Sequence, residues 1–232
     1  MEVQRVTVSL KEQEELFKII GEKMQKKIEA FVIGGSAMLY YGAKIATKDI
    51  DAVLNNKEER DILIKVLKEL GFKERSTKFL YFEKKNVPVL LQRGEERIDL
   101  FYDKIIDFKF TNSIKERATA SYEYENLIVK VISPEDIIIL KCATERAGDR
   151  LDAVSLIKIK NVDWDIIIDE AIIQMNIIGD VIPLSLYDFM CELKEDLKAD
   201  INQKVIDKIG DIAEKHIKEK IKSGKHINVK RY

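Results

Sequence analysis

The stretch VIGGSAMLYYGAKIATKDIDAVL, from Val32 to Leu54, restricts the fold more than any other part of the chain. Its start closes the short apolar run AFVIGG, which reads as a buried strand. Gly34 and Gly35 stop that run, and SAMLYYGA reads as a helix beginning immediately after them. DIDAVL then alternates polar and apolar residues, so it reads as a second strand with Ile50 toward the core and Asp49 and Asp51 together on the opposite face. Strand, glycine turn, helix and strand in close succession predict an α/β (α+β) arrangement.

The same stretch predicts chemistry. A strand that ends in Gly-Gly-Ser and feeds a helix presents backbone N–H groups where no Cβ blocks the approach of a phosphate. Gly34, Gly35 and Ser36 are therefore candidate phosphate-binding residues, with the Ser36 hydroxyl as a further donor. Asp49 and Asp51 bring two like charges to one volume, and a divalent cation relieves their repulsion. Mg²⁺ suits them because it takes carboxylate oxygens and completes its shell with water and substrate phosphate. A site using a pair of such ions wants one more carboxylate from a neighbouring strand, both as a metal ligand and as an acceptor for the nucleophile's proton. ERIDLF supplies Asp99, expected to point outward between inward-facing Ile98 and Leu100.

Elsewhere the pattern is legible in outline. Apolar residues at Leu16, Ile19, Ile20 and Met24 predict an opening helix over Leu10 to Ala30, with Ser9 as its cap. KEERDILIKVLKELG reads as an amphipathic helix ending at Gly71. KFLYFEKK, VPVLLQR, ERIDLFYD and YENLIVKVIS read as strands. SPEDIIILKCATER opens a helix with Pro134 at its first position, and almost everything from Asp149 onward reads helical. The composition change at Pro134 predicts an α/β catalytic domain over 1–133 and a helical region over 134–232 that packs on it.

Together these residues resemble the nucleotidyltransferase superfamily that shares its fold with DNA polymerase beta. The pattern is Gly35-Ser36, a spacer of twelve residues, Asp49-Ile50-Asp51, and Asp99 on a later strand. SPEDIIILKCATERAGDRLDAVSL is similar to the helical motif of prokaryotic members near the AbiEii-type and DUF6036-like nucleotidyltransferases. The resemblance covers roughly residues 28–158 and implies a small mixed sheet flanked by helices, with a helical C-terminal half. It implies Mg²⁺ and an NTP, with Lys141 on phosphate, Arg146 supporting the site, and Asp149 and Asp152 closing the motif. The chain departs from that pattern at Ile45, preceded by Lys44, where such members carry Arg, and at Gly148, where they carry a basic residue.

Charge and composition bound the partners. Lys plus Arg number 40 and Asp plus Glu 41, so the chain as a whole does not attract a polyanion, and any RNA must meet a local patch. Cys142 and Cys191 lack metal-site or redox-pair spacing, and there is neither a signal-peptide pattern nor a membrane-length apolar run. A cytoplasmic enzyme without a membrane partner is the expectation. The expected reaction moves an NMP from an NTP to a hydroxyl of RNA (a tRNA end, for example), of a protein or of a small molecule. Two alternatives stay open: a weakly active or inactive nucleotide-binding module with a cognate antitoxin partner, and a nucleotide-sugar glycosyltransferase, which also uses Asp-x-Asp.

Overall fold

A computed structural model of the chain describes residues 7–77, 86–118, 120–144, 146–178 and 182–223. The fold divides into two compact units, Met1–Ser133 and Pro134–Tyr232.

In the first unit β1 (Val8–Ser9) leads into α1 (Leu10–Lys23). A capping box starts that helix: the Glu12 amide donates to Ser9 Oγ at 3.4 Å, and the Ser9 amide donates to Glu12 Oε2 at 2.8 Å. The predicted extension to Ala30 does not occur, because residues from Ile28 onward are drawn into β2 (Ile28–Val32) and its ladders on both sides. Helix α1 runs so close to a later strand that a Cβ on Gly21 would stand 1.8 Å from the Tyr124 carbonyl oxygen. Only glycine permits that approach.

After β2 come α2 (Gly34–Tyr40), β3 (Ala46–Thr47) paired with β1, β4 (Ile50–Leu54) and α3 (Lys57–Glu69). Asn56 caps α3 by accepting the Glu59 amide at 2.9 Å, and the helix buries Leu63, Val66 and Leu67. Next are β5 (Lys73–Arg75), β6 (Val89–Arg93), β7 (Glu96–Tyr102), β8 (Lys104–Ile105) and β9 (Phe108–Lys109). The unit closes with α4 (Asn112–Arg117), β10 (Ala120–Tyr124) and β11 (Leu127–Val131). VPVLLQR and ERIDLFYD thus emerge as β6 and β7, whereas the predicted strand KFLYFEKK, 78–85, lies outside the described residues.

The main sheet runs β10-β11-β2-β4-β7-β6-β5, with β8 joined to β7 and β9 to β8. β11 with β2 and β4 with β7 are parallel, and the other neighbours antiparallel, so the sheet is mixed. With α1 and α3 beside it, this is the expected mixed sheet with flanking helices. Its core is aliphatic and aromatic: Val32, Val53, Leu54, Leu91 and Leu100 are fully buried, and Phe31 meets Phe110 edge-on at 5.2 Å between ring centres.

The second unit contains α5 (Pro134–Lys141), α6 (Ala147–Ile159), α7 (Trp164–Ile178), α8 (Ile182–Glu195) and α9 (Gln203–Lys222). The helix predicted through Arg146 stops at Lys141, where a corner held by side chains intervenes. Arg150 donates to the Thr144 carbonyl, Thr144 donates to Asp149, and Lys141 reaches Asp149 from the preceding helix.

Candidate functional site

The register of β4 and β7 sets the site. Asp51 pairs with Asp99 across this parallel ladder, one step beyond the Ile50 and Ile98 pair. Paired residues on neighbouring strands project from the same face, so the two carboxylates share one side of the sheet. Asp49 stands just before β4 rather than within it. Near Asp49, and two residues before Asp99 on β7, is Arg97, to which the sequence assigns no role.

Arg97 organises the acids. Its Nε donates to Asp99 Oδ1 at 2.9 Å and its Nη2 to Asp99 Oδ2 at 2.5 Å, a bidentate fork. Its Nη1 lies 3.6 Å from Asp49 Oδ2. The expectation of an outward-facing Asp99 needs correction: its side chain is 0% exposed. The guanidinium fork is the ion-pair partner of this buried carboxylate.

The glycine pair that opens α2 is tied to the same strand. The Ile33 amide donates to the Asp51 carbonyl at 3.1 Å, and the Asp51 amide donates to Ser36 Oγ at 3.3 Å. Ser36 Oγ in turn donates to the Asp49 carbonyl at 3.3 Å, and the whole residue is buried. Its one proton is directed at the strand, so in this structure Ser36 clamps the Asp49–Asp51 segment to the start of α2 rather than offering a donor to a ligand. Gly34 has φ +55°, in the left-handed region, and a Cβ there would come 3.1 Å from Asp51 Oδ2. A Cβ on Gly35 would fall 2.4 Å from Thr47 Oγ1 and 3.8 Å from Lys44 Nζ. Both glycines are thus required by close approach, and Lys44 brings a positive charge near them. Beside it, Ile45 is 94% exposed.

The donor chemistry suits a hard divalent cation, since Asp49, Asp51 and Asp99, from the start of β4 and from its neighbour β7, offer only carboxylate oxygens. Among the described residues no three carboxylate, histidine or cysteine side chains are grouped so that they could hold a metal ion. The Arg97 guanidinium lies between two of the three acids and neutralises part of their charge.

Lys141 and Arg146 belong to the second unit. Lys141 is nearly buried, with its Nζ 2.7 Å from both Asp149 and Asp152. Burial pulls its pKa down, but the two carboxylates outweigh that and raise it above the ordinary lysine value. For Asp149 burial pushes the other way, and Lys141 overrides it to hold the carboxyl below its usual range. Arg146 is the exposed N-cap residue of α6. The thiol of Cys142 is pushed up to about 12 by burial, against a small opposing pull from Arg150, so Cys142 is packing rather than chemistry.

Among the described residues no helix is long and apolar enough to cross a membrane. A family model described as nucleotidyl transferase of unknown function, DUF2204, matches residues 12–225. No curated protein matches the chain. Among solved structures it is similar to ANT(2″)-Ia in complex with adenylyl-2″-tobramycin, at 16% identity and a TM-score of 0.43, covering 62% of this chain and 87% of that one. It is also similar to an antigenic nucleotidyltransferase-like protein from Paracoccidioides brasiliensis, at 18% identity and a TM-score of 0.39, covering 66% of this chain and 78% of the other.

Proposed function

This chain belongs to the nucleotidyl transferase family DUF2204 and is an enzyme of that class, and on that premise we propose that its first unit moves an NMP from an NTP to a hydroxyl acceptor with Mg²⁺ assistance. The observation that carries this reading is the in-register Asp51 and Asp99 pair beside the glycine start of α2, which is hydrogen-bonded to the Asp51 backbone.

The acceptor oxygen forms a bond to the α-phosphorus as the bond to the oxygen bridging toward the β-phosphorus breaks, and pyrophosphate leaves with that electron pair. Asp99 takes the acceptor's proton. The backbone at Gly34 and Gly35 receives the β and γ phosphates, with the Lys44 ammonium near the glycines to balance their charge. Ser36 keeps Asp49 and Asp51 against that backbone. Mg²⁺, when bound, would be held by Asp49, Asp51 and Asp99 and would supply Lewis-acid stabilisation of charge on phosphoryl oxygens. Lys141 and Arg146 are proposed phosphate contacts on the resemblance alone, and Lys141 would have to exchange Asp149 or Asp152 for the phosphate.

The acceptor is proposed to be RNA, a protein or a small molecule. Incubation of purified protein with each α-labelled NTP, Mg²⁺ and cell extract tests the reading by locating label in one of those fractions. Asp51→Asn is expected to remove the labelling, and equal labelling by that variant would refute the assignment. Nucleotide binding with no transfer to any fraction would favour the binding-module alternative, and preference for a UDP-sugar would favour the glycosyltransferase.

A further inference from the structure

Arg97 takes a lone pair on each oxygen of Asp99 and so competes with any metal ion or proton for that carboxylate. We infer that Arg97 is a resident counter-cation: it holds Asp99 and Asp49 before substrate arrives, yields Asp99 to the divalent cation, and then pairs with a phosphate of the incoming nucleotide. This rests on the function proposed above.

Three features carry it. The ladder pairs Asp51 with Asp99, and just before its first pair, Ile50 with Ile98, the Arg97 guanidinium reaches to 3.6 Å from Asp49, so Arg97 and Asp99 on β7 stand beside Asp49 and Asp51. Exposure is unequal: the Asp99 side chain is 0% exposed and fixed in the sheet, whereas those of Arg97 and Asp49 are 24% and 28% exposed. The guanidinium therefore lies on the solvent side and can swing away without disturbing the ladder. Finally, a dication entering among these acids meets a guanidinium already bonded to one of its ligands, and the two cations repel at that range. A phosphate is the anion that stabilises the displaced guanidinium, since a planar fork matches phosphate as well as carboxylate.

The consequence is a pair of effects with opposite signs. Calorimetric titration of Arg97→Gln with Mn²⁺ alone should give affinity about tenfold tighter than wild type, because the competing cation is gone. Titration with each α,β-methylene NTP in saturating Mn²⁺ should give affinity at least about fivefold weaker, because the phosphate partner is gone. Arg97→Lys keeps the charge but not the fork, and should fall between wild type and Arg97→Gln in both titrations. A merely structural Arg97 would weaken both affinities together, and that result, or unchanged Mn²⁺ affinity, overturns the inference. Asp51→Asn separates the parent reading: if it binds Mn²⁺ as wild type does, the metal assignment fails whatever Arg97 does. Absence of Mn²⁺ binding to wild type and Arg97→Gln, with or without analogue, refutes both. Should Arg97→Gln not fold, the Arg97 Nε–H resonance of wild-type protein, assigned by its loss in Arg97→Lys, must shift when Mg²⁺ and analogue are added. A resonance that stays put while both ligands bind overturns the displacement.

Discussion

Gly35→Ala probes the joint between the glycine start of α2 and the strand leading to the acids. The new methyl group would lie 2.4 Å from Thr47 Oγ1 and 3.2 Å from Thr47 Cβ, where ordinary contact begins at 3.4 Å, an overlap of about 1 Å with the hydroxyl. Thr47 is 5% exposed and its short side chain has little room to retreat. Overpacking of this kind costs about 1–3 kcal/mol, and the gain of about 1 kcal/mol from replacing a helical glycine by alanine offsets part of it. The net loss is about 0–2 kcal/mol, which at a urea slope of about 2 kcal/mol/M lowers the unfolding midpoint by up to about 1 M. Far-UV circular dichroism during urea titration reads this directly. Thr47→Ala removes the clashing oxygen and leaves only the 3.2 Å contact, so the double variant should recover at least about 1 kcal/mol relative to the sum of the single changes. Strict additivity would refute the packing argument.

Gly34→Ala should cost about 1 kcal/mol for a left-handed φ and push the Asp51 carboxylate, lowering nucleotidyl transfer at least about tenfold in steady-state assays. Gly21→Ala would set a methyl group 1.8 Å from the Tyr124 carbonyl oxygen, and thermal unfolding should show a loss of at least about 2 kcal/mol. Lys141→Met leaves Asp149 and Asp152 facing each other, with an expected loss of about 3 kcal/mol at pH 7 by urea unfolding. Because the folded pKa of Asp149 lies below 3.8, the stabilisation it gains from Lys141 is complete above that value and fades as pH falls through the folded pKa, so the gap between wild type and variant should narrow below about pH 4. With its thiol near 12, Cys142 should resist alkylation in folded protein at pH 8, when roughly one molecule in ten thousand carries the thiolate, while half-buried Cys191 reacts first in mass-spectrometric peptide mapping.

The sheet's centre is legible in the sequence because its strands are apolar and bounded by turn residues. DIDAVL and ERIDLFYD announce β4 and β7, and SPED announces the start of α5. β10 is not announced: at the sheet's edge its residues Ser121, Tyr122 and Glu123 are exposed, so it carries no apolar alternation. Asp49 and Asp51 carry a local signal, whereas Arg97 does not. The i, i+2 spacing of Arg97 and Asp99 is visible, but its meaning depends on β4 and β7 being parallel neighbours in one register, a long-range fact. The burial of Asp99 is hidden for the same reason, as its alternation with Ile98 and Leu100 suggests a solvent-facing residue until Arg97 is placed over it. Ser36 looks like a ligand donor in the sequence because its hydrogen bonds to the Asp49 carbonyl and Asp51 amide cross a loop of unpredictable course. Thr47 and Lys44 enter only through their approach to Gly35.

Nucleotidyl transfer by the three acids is tested most directly by following two labels through one reaction, with the NTP labelled at its α-phosphate in one sample and at its γ-phosphate in the other. The proposed chemistry places α label on the acceptor and γ label in pyrophosphate, with both transfers lost in Asp51→Asn. Transfer of the γ label to the acceptor, or undiminished α transfer by that variant, would contradict it.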